Sequence, residues 1–463
     1  MTGDSPTAMA ASTTRPLVCR NDYSSILVPA NGSWTPTLTV SILIPAHGHQ
    51  DKLDLTLAAL AAQTYPDQLT QVIVVDDNTN PPLALPDIRP TNTTLLRPAP
   101  DGWGSAHAVN TAAQHADGTV LMRLDSDMIT YHHHVESQMR YHHQLDYAAV
   151  LGHKLFTDYQ PGQHTAQHVH ATVANHQTHT LFDRAAADPH WIESIIERTD
   201  GLRNEDHTSW RVFVGATGST HRDLFAAAGG YDGEMILGGD TEFGYRLGQA
   251  GAVFIPDHDS SSWHLGRTQI QSRREDAKRF RRPFQANRMP ALKYRDSANR
   301  HQWVVPLVDV VMDVGGARLE QVREAIDPLL GGHNQDTRVH LVADWPDPHE
   351  RHATLDDPYT DLRLINETYR GEPRVHFHTA APERDFHVPY RLTLPIGAHT
   401  TRAGAEPLIT VLDERRVGLL TVAADDGAVA RLERQGAFAR ARHLDPGQPD
   451  ALIDAIAGTH HIA

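Results

Sequence analysis

The chain has 463 residues, more than a single hydrophobic core usually supports, so its length predicts two domains. Hydrophobic residues make up 40% and charged residues 21% of it, as in a soluble globular protein. The formal net charge of −16 argues against a general nucleic-acid-binding or anionic-membrane surface, since both would repel an acidic protein.

A single cysteine, Cys19, excludes an internal disulfide framework and favours a reducing compartment, of which the cytoplasm is the simplest. Residues 1–37 are polar and broken by Pro6 and Pro16, so we expect an irregular extension without the apolar segment of a secretory signal. No apolar stretch approaches the roughly 18 residues that a membrane-spanning helix needs. We therefore expect no membrane span.

Apolar strands and amphipathic helices alternate after the extension. The first strand, Leu38–Pro45, is a continuous apolar run rich in β-branched residues, which is typical of a parallel strand buried on both faces. The elements predicted next are a helix over about Asp51–Gln63, strands over Gln71–Val75 and Thr93–Leu96, a helix over Ser105–Ala116 and a strand over Thr119–Leu124. This order predicts a doubly wound, mostly parallel α/β sheet.

The chain then becomes richer in glycine and charge. Arg211–Val214 leads into a glycine-spaced turn, Gly215–Gly218. Further predicted elements are helices over about His221–Ala228 and Thr241–Ala250 and a strand over Ala252–Ile255. The charged stretch Arg267–Arg300 contains two prolines and is predicted to be a helical or loop-like exit from a catalytic domain spanning about residues 38–290.

Residues 303–463 are predicted to form a smaller α/β accessory domain. Its first elements are a strand over Val304–Met312, a helix over Arg318–Leu330 and a strand over Arg338–Ala343. The step from Pro45 to Asp76 equals the step from Met312 to Ala343, so this domain is either a degenerate repeat of the first or simply another βαβ unit of ordinary length.

Two aspartates one residue apart, Asp125 and Asp127, follow the strand that ends at Leu124. Side chains two positions apart in an extended chain point to the same side, and ligands bind open α/β sheets beyond the carboxyl ends of their strands. Carboxylate oxygens suit Mg²⁺ or Mn²⁺, and a cation is needed here because the carboxylates alone would repel a diphosphate. The alternative is that Asp125-Ser126-Asp127 only forms a turn.

Six ordered blocks resemble the family 2 glycosyltransferases of the GT-A fold, over about half the chain. The blocks are VSILIPAHG (Val40–Gly48), VIVVDDNT (Val72–Thr79), GSAHAVNTA (Gly104–Ala112), VLMRLDSD (Val120–Asp127), GGYDGEMILGGDTEFGYRLGQAG (Gly229–Gly251) and SSWHLG (Ser261–Gly266). The last two also resemble the C-terminal part of galactosyltransferase and N-acetylgalactosaminyltransferase domains, and the whole chain resembles bacterial two-domain members. The resemblance implies a hexosyltransferase that uses a nucleotide-sugar donor.

The ends of the first two strands are the predicted nucleotide site. Backbone groups of Pro45 and Ala46 can contact a base or ribose, and Asp76 or Asp77 can accept a hydrogen bond from the N3–H of uracil or thymine. A carboxylate would leave cytosine unsatisfied, which favours a UDP- or dTDP-sugar. The resemblance implies this role for an aspartate beside the second strand; the alternative is a strand-ending turn.

The sugar nucleotide is predicted to lie against three further places. His107 and Asn110 are one helical turn apart and can both face it, although polar residues also share helix faces by chance. Gly215 and Ala216 can shape the wall of the donor-sugar pocket, because small residues permit close backbone approach. Ser126 lies between the two aspartates that face the diphosphate.

The resemblance implies a metal site made of Asp125, Asp127 and His264. In that family the second aspartate contacts the metal, the first reaches the ribose or a metal-bound water, and a histidine in the last block often adds a third ligand. Imidazole suits Mn²⁺ better than Mg²⁺. The alternative for His264 is a loop histidine without a role.

An inverting transfer needs a carboxylate to take the proton of the acceptor hydroxyl. Asp240 and Glu242 begin the helix after Gly238-Gly239, and we predict Asp240 as the base with Glu242 as the second choice. The family carries Glu-Asp or Asp-Asp where this chain has Gly239-Asp240. The structural alternative is that both acids cap the helix N-terminus.

Histidine is frequent, with 32 residues concentrated in 131–143 and 164–179. We expect these segments to be solvated surface, because no cysteine or carboxylate completes a zinc ligand set at the usual spacing. Two other functional classes are compatible with parts of the sequence. A catalytically silent sugar-nucleotide-binding or scaffold protein is the main alternative, and a nucleotidyltransferase is disfavoured because no basic Gly-rich loop follows the first strand. The acceptor, a saccharide, lipid, peptide or small molecule, is open, as is the oligomeric state.

Overall fold

The structure is a computed structural model that describes residues 15–205, 207–267, 272–292, 295, 302–332, 336–350, 352–423 and 427–462. Residues 1–14 of the predicted extension, several positions of the predicted exit segment and Ala463 lie outside this set. The mixed α/β fold predicted from the sequence is confirmed, with two large sheets that each combine parallel and antiparallel strands.

The amino-terminal half holds one large and one small sheet. Its strands are β1 Val40–Ala46, β2 Thr70–Asp76, β3 Thr93–Leu96, β4 Val120–Leu124, β5 Met128–Thr130, β6 Ala148–Gly152, β7 Leu155–Thr157, β8 Asp188–Pro189, β9 Thr217–His221, β10 Val253–Asp257 and β11 Ser262–Leu265. Among the described residues the large sheet has the order β10-β6-β9-β4-β1-β2-β3 and the small sheet the order β5-β11-β7-β8.

Helices cover both faces of the large sheet. They are α1 Gln50–Leu60, α2 Ser105–Gln114, α3 His134–His142, α4 Ala166–Ala174, α5 Glu193–Arg198, α6 Arg222–Ala227, α7 Gly239–Gln249 and α8 Arg274–Arg288. Alternate residues of β1 serve two cores, since Ile42 and Ile44 pack with Leu53 of α1 while Leu43 packs with Val109 of α2. Burial on both faces explains why this strand reads as a continuous apolar run.

The glycine-spaced turn predicted at Gly215–Gly218 is wrong in part, because Thr217 and Gly218 begin strand β9. This strand is antiparallel to both of its neighbours, β4 and β6, in the middle of the sheet. The sequence analysis did not detect this strand because its residues are polar, although most of them are buried. The Ser219 hydroxyl, for example, donates to Gln138 Oε1 at 2.7 Å. The first two residues of Arg211–Val214 lie in a short 3₁₀ turn, Ser209–Val212, and the last two follow it.

The small sheet carries the SSWHLG block to the edge of the large one. Strand β11 is antiparallel to β5 and parallel to β7, so His264 stands opposite Met128 on one side and Phe156 on the other. Strand β5 directly follows the Asp125–Asp127 triplet. The pairing therefore joins the two predicted halves of the metal site.

The carboxyl-terminal half has its own sheet and core. Its strands are β12 Val308–Asp313, β13 Thr337–Val342, β14 Val375–His378, β15 Tyr390–Leu394, β16 Leu419–Ala423, β17 Val429–Arg434 and β18 Thr459–Ile462. Its helices are α9 Leu319–Gly331, α10 Thr360–Tyr369, α11 Glu406–Glu414, α12 Gln435–Leu444 and α13 Pro449–Ala457. Within the described residues the sheet order is β14-β13-β12-β15-β17-β16-β18.

The two large sheets share a local order of strands. In the first half β4-β1-β2-β3 are neighbours, and in the second half β15-β12-β13-β14 are neighbours in the same relative order, all parallel. A duplicated unit predicts this correspondence. Duplication and the domain limits at 38–290 and 303–463 remain predictions.

The two halves touch through α7 and α12. Buried Arg440 of α12 donates to the carbonyl oxygens of Gly251 and Ala252 at 2.8 and 2.9 Å and to that of Val18 at 3.1 Å. A side chain at Gly436 would overlap the carbonyl oxygen of Gly248, so the two helices meet backbone to backbone. None of the described helices has the length and hydropathy needed to cross a membrane.

The prediction that the segment 131–143 is solvated surface is wrong for two of its histidines. His134 is fully buried, with Nε2 2.8 Å from the Thr217 hydroxyl and Nδ1 3.0 Å from the Ser261 carbonyl oxygen. His142 is also buried, and its Nε2 lies 2.8 Å from the Ser219 hydroxyl. Burial lowers the pKa of His134 to about 4, so the ring is a neutral bridge between α3 and its neighbours.

Candidate active site

The acidic triplet stands at the carboxyl end of β4, held by two neighbouring chain segments. The Asp125 amide donates to the Ala216 carbonyl oxygen at 2.8 Å, and the Leu265 amide donates to the Asp127 carbonyl oxygen at 2.9 Å. The first bond anchors the triplet beside the approach to β9, and the second anchors it to β11. Three distant sequence blocks are therefore fixed to one another by backbone hydrogen bonds.

Asp125, Asp127 and His264 come together as a candidate metal site. One ligand atom from each of the three lies within 4.8 Å of the other two, and His264 Nε2 is 3.5 Å from Asp127 Oδ1. His264 is buried and its Nδ1 lies 3.0 Å from the Gly266 carbonyl oxygen. If Nδ1 carries the proton for this contact, Nε2 presents its lone pair to the aspartates, as a metal ligand requires.

Two basic side chains balance the charge of the aspartates. Lys52 of α1 lies 3.4 Å from Asp127 Oδ2 and also donates to the Leu265 carbonyl oxygen. Arg123 of β4 donates to Asp125 Oδ1 at 3.0 Å. Burial acts to lower the pKa of Arg123, but the field of Asp125, with Tyr231 and Asp240, raises it above the ordinary value. Two carboxylates with one imidazole fit Mn²⁺ or Mg²⁺.

A cavity of about 240 Å³ opens beside these residues. Its wall includes Asp125 and His264 on one side and Asp240 at the N-terminus of α7 on the other, with Gly215 and Ala216 between them. Its remaining lining is Ser105, Ala106, Arg123, Lys154, Phe156, His190, Trp191, Val214, Tyr231, Met235, Ile236, Leu237, Gly238, Gly239, Thr241 and Arg281. Two of the three predicted metal ligands, the predicted sugar-pocket wall and the predicted base therefore line one cavity, whereas Asp127 is not among its lining residues.

The two acids predicted as base have different surroundings. Asp240 faces the cavity, where its Oδ2 accepts from the Gly215 amide at 2.6 Å and its Oδ1 from the Thr241 amide at 2.8 Å. Glu242 is buried away from that lining and holds Arg246 through two bonds of 2.6 Å. Arg246 in turn donates to the Ala228 and Gly230 carbonyl oxygens, so Glu242 has a structural contact and Asp240 is the acid open to a substrate.

The predicted nucleotide residues meet at the ends of β1 and β2. Asp76 is buried, and its two oxygens accept from the Thr79 and Leu83 amides at 2.9 and 3.1 Å, so this side chain shapes the loop. The Asp77 carboxylate accepts a hydrogen bond from the Gly104 amide at 2.8 Å through Oδ2. Among the described residues this is the one hydrogen bond of that side chain. Its amide donates to the Ala46 carbonyl oxygen, which joins the two strand ends. Of the two aspartates, Asp77 is the less buried.

His107 and Asn110 occupy separate sites on α2. Asn110 clamps the Tyr231 backbone, accepting from its amide at 2.9 Å and donating to its carbonyl oxygen at 2.6 Å. Both functional atoms of the Asn110 amide are thus used to position the loop that lines the cavity. His107 is partly buried and its Nε2 lies 3.1 Å from the Ala99 carbonyl oxygen. Neither side chain lines the cavity described above.

Sequence reasoning missed two basic residues of the cavity wall, Lys154 and Arg281. Lys154 follows β6 in an unremarkable context, and Arg281 is one of several basic residues on α8. For Lys154, the available signal was a lysine shortly after a buried strand. For Arg281, the sequence offered no distinguishing pattern.

Residues 41–192 match the family model described as Glycosyl transferase family 2. No curated protein sequence matches the chain. Among solved structures, the chain is similar to the mannosyltransferase PcManGT from Pyrobaculum calidifontis in complex with GDP-Man and Mn²⁺, at 17% identity and a TM-score of 0.35. That similarity covers 57% of this chain and 64% of the mannosyltransferase, so it spans less than two thirds of the latter.

The family match shows that residues 41–192 are similar to a glycosyltransferase domain, and the site's two carboxylates and imidazole agree with that class. The matched segment contains the ends of β1 and β2 and the acidic triplet. The match stops at residue 192, before Asp240 and His264. The likeness of those later blocks to galactosyltransferase and N-acetylgalactosaminyltransferase domains, and the resemblance to bacterial two-domain members, stay predictions.

Proposed function

We propose that this glycosyltransferase moves a sugar from a nucleotide sugar, with UDP-sugars preferred, to an acceptor hydroxyl in a reaction that needs a divalent metal and inverts the anomeric centre. The observation that carries the proposal is the shared cavity of about 240 Å³, which has the Asp125–His264 cluster on one side and Asp240 on the other. A donor held between these groups would present its anomeric carbon to an acceptor activated by Asp240.

Recognition of the base is proposed for Asp77. Its second oxygen is available at the end of β2, while the other is fixed by the Gly104 amide. A carboxylate oxygen accepts from the N3–H of uracil and has nothing to accept from N3 of cytosine. Pro45 and Ala46 lie at the adjacent end of β1 and supply backbone and apolar contact to the nucleoside. Guanine also offers an N–H at the equivalent edge, so GDP-sugars belong in the test.

Asp127 and His264 are proposed as direct metal ligands, with Asp125 beside them. When bound, Mn²⁺ or Mg²⁺ would screen the diphosphate from the carboxylates and stabilise the charge that develops on the departing nucleoside diphosphate. Lys52 and Arg123 hold the two aspartates in place from outside the cluster. The imidazole among two carboxylates favours Mn²⁺ of the two ions.

Asp240 is proposed as the general base. Two backbone amides orient its carboxylate and leave lone pairs that point to the cavity. The acceptor hydroxyl gives its proton to this carboxylate while its oxygen forms the bond to the anomeric carbon. The bond from that carbon to the distal phosphate breaks, and its electron pair stays on the phosphate oxygen. Attack from the side opposite the leaving group inverts the centre.

The proposal is tested by nucleoside diphosphate release. Purified protein is offered UDP-, dTDP- and GDP-sugars with Mn²⁺, with Mg²⁺ and with a chelator, together with a mixture of saccharide and small-molecule acceptors. We expect release from a UDP-sugar, faster with Mn²⁺ and abolished by the chelator. Tight binding of sugar nucleotides with no release from any of them would instead favour the catalytically silent alternative. The lone cysteine supports the cytoplasm as the proposed compartment.

A further inference from the structure

Lys154 is a buried lysine that lacks a partner. It follows β6, only 1% of its surface is exposed, and its Nζ has no hydrogen-bond partner among the described residues. Burial lowers its pKa to about 8, against the opposing fields of Glu193, Asp125 and Asp240. A buried ammonium without a hydrogen-bonding counter-ion is costly, so such a group is kept where a ligand supplies the missing partner.

The three carboxylates near Lys154 are each engaged by another group. Asp125 accepts from Arg123, Asp240 from two backbone amides, and Glu193 is 3.1 Å from His258 Nε2. None of these acids forms an ion pair with Lys154 in the described part of the chain. Lys154 therefore lines the cavity with a buried ammonium whose hydrogen-bonding capacity is unused among the described residues.

A second cation faces the same cavity from α8. Arg281 lines its wall, and its Nε is buried without a hydrogen-bond partner among the described residues. Its Cδ lies close to Gly238, where an added Cβ would be only 3.6 Å away. Two unmatched cations from distant parts of the chain thus meet beside the proposed metal cluster. Two cationic side chains with unpaired buried donors in one cavity wall describe an anion subsite.

We propose that Lys154 and Arg281 form a subsite for the distal phosphate of a nucleoside-diphosphate donor, the phosphate from which the sugar departs. This inference rests on the proposed function and deepens it by assigning the class of donor to nucleoside diphosphates. When the bond between the anomeric carbon and the distal phosphate breaks, that phosphate gains one negative charge. Charge-assisted hydrogen bonds from the two side chains then strengthen, because the phosphate that accepts them carries more negative charge.

The test compares Lys154→Met, which keeps the length of the side chain and removes its charge, with wild type. Binding of UDP and UMP, and of GDP and GMP, is measured by calorimetry with Mn²⁺ present. We expect affinity for the diphosphates to fall about tenfold or more while affinity for the monophosphates changes little. The melting temperature should stay equal or rise, because the variant removes an unpaired buried charge. A structural role for Lys154 would lower it.

Arg281 is proposed to contact the same phosphate from α8. Arg281→Met should therefore weaken binding of the diphosphates more than binding of the monophosphates. The matched control is Lys278→Met, since this lysine lies on α8 outside the cavity and pairs with Glu275 at 2.7 Å. Its diphosphate affinity should stay within about twofold of wild type, as expected for a surface ion pair.

The outcomes separate the two proposals. If wild type binds UDP or GDP and folded Lys154→Met binds it equally well, the subsite is overturned and the proposed function stands. An equal loss for monophosphate and diphosphate would also overturn it, because the contact would then be to the proximal phosphate. If wild type binds neither nucleotide in the presence of Mn²⁺, the proposed nucleotide-sugar donor itself is overturned.

Discussion

His264 Nε2 lies 3.5 Å from Asp127 Oδ1, although β11 and the segment after β4 are far apart in the chain. Strand β5, which follows Asp127, pairs with β11 and sets this distance through backbone hydrogen bonds. The position of the imidazole is therefore fixed by sheet pairing and not by a mobile loop. A preformed ligand pair of this kind requires little rearrangement when a cation binds.

Replacing Asp127 by alanine removes the central carboxylate of the cluster. We expect Asp127→Ala to lose nearly all turnover and most of its Mn²⁺ affinity, because a single carboxylate and an imidazole hold a divalent ion weakly. Electron paramagnetic resonance of Mn²⁺ and nucleoside diphosphate release measure the two effects. The control is Asp87→Ala, at an exposed position away from the cavity. Unchanged release in Asp127→Ala would refute the metal assignment.

The two acids of α7 should respond differently to loss of charge. Asp240→Asn keeps the size of the side chain and is expected to reduce turnover by about 10²–10⁴, with UDP binding retained, because it removes only the proton acceptor. Glu242→Gln breaks the buried pair with Arg246 and is expected to lower the free energy of unfolding by about 3 kcal/mol. Turnover and urea unfolding of both variants are compared side by side. A stable, inactive Glu242→Gln with an active Asp240→Asn would reverse the roles.

Acid should destabilise the fold through its buried histidines. The pKa of His134 is lowered to about 4 in the folded protein, whereas an unfolded histidine titrates near about 6.5. Between these values the unfolded state binds the extra proton, so the free energy of unfolding falls as the pH falls. From about pH 7 to about pH 5 the contribution of one such group is on the order of 1–2 kcal/mol.

Urea unfolding of His134→Gln at these two pH values tests this linkage. The variant should start less stable than wild type at neutral pH, because it disturbs the contacts with Thr217 and Ser261. Its loss of stability on acidification should nevertheless be smaller. His179→Gln, at an exposed histidine, should show the full wild-type loss. An equal pH dependence in all three proteins would exclude His134 as a source of acid sensitivity.

Arg440 should be essential to the junction of the two halves. Arg440→Met leaves the buried carbonyl oxygens of Val18, Gly251 and Ala252 without their donor, and we expect a loss of about 3 kcal/mol in the free energy of unfolding. Thermal unfolding followed by circular dichroism measures it. The same change at exposed Arg279 should leave the melting temperature unchanged. Equal melting of the two variants would contradict the anchoring role.

The parts of the fold that could be predicted are those whose residues are apolar enough to indicate burial by themselves. Strands β1, β2 and β4 are apolar because helices cover both faces of the sheet, and Thr93–Leu96 was predicted with its observed limits. The acidic triplet was visible because it ends such a strand. These signals are local, and local pattern is what a sequence displays directly.

The missed features depend on partners that lie far away in the chain. Strand β9 is polar, and side chains of α3 form hydrogen bonds with its buried hydroxyl groups. Asn110 appeared suited to a ligand, yet its amide binds the backbone of Tyr231. Lys154 became distinctive only when the cavity around it was known. Pattern reasoning ranks residues by type and spacing, whereas these roles are decided by tertiary contacts.

Helix α7 carries Asp240 in its first turn and, two turns later, presents Gly248 to the backbone of Gly436. The carboxyl-terminal half thus packs directly against the helix that carries the proposed base. If the carboxyl-terminal half is exchanged for another domain, the position that contacts Gly248 must remain a glycine. A larger residue there would displace α7 and, with it, the proposed base. Modular engineering of the enzyme is therefore constrained at a glycine remote from any substrate.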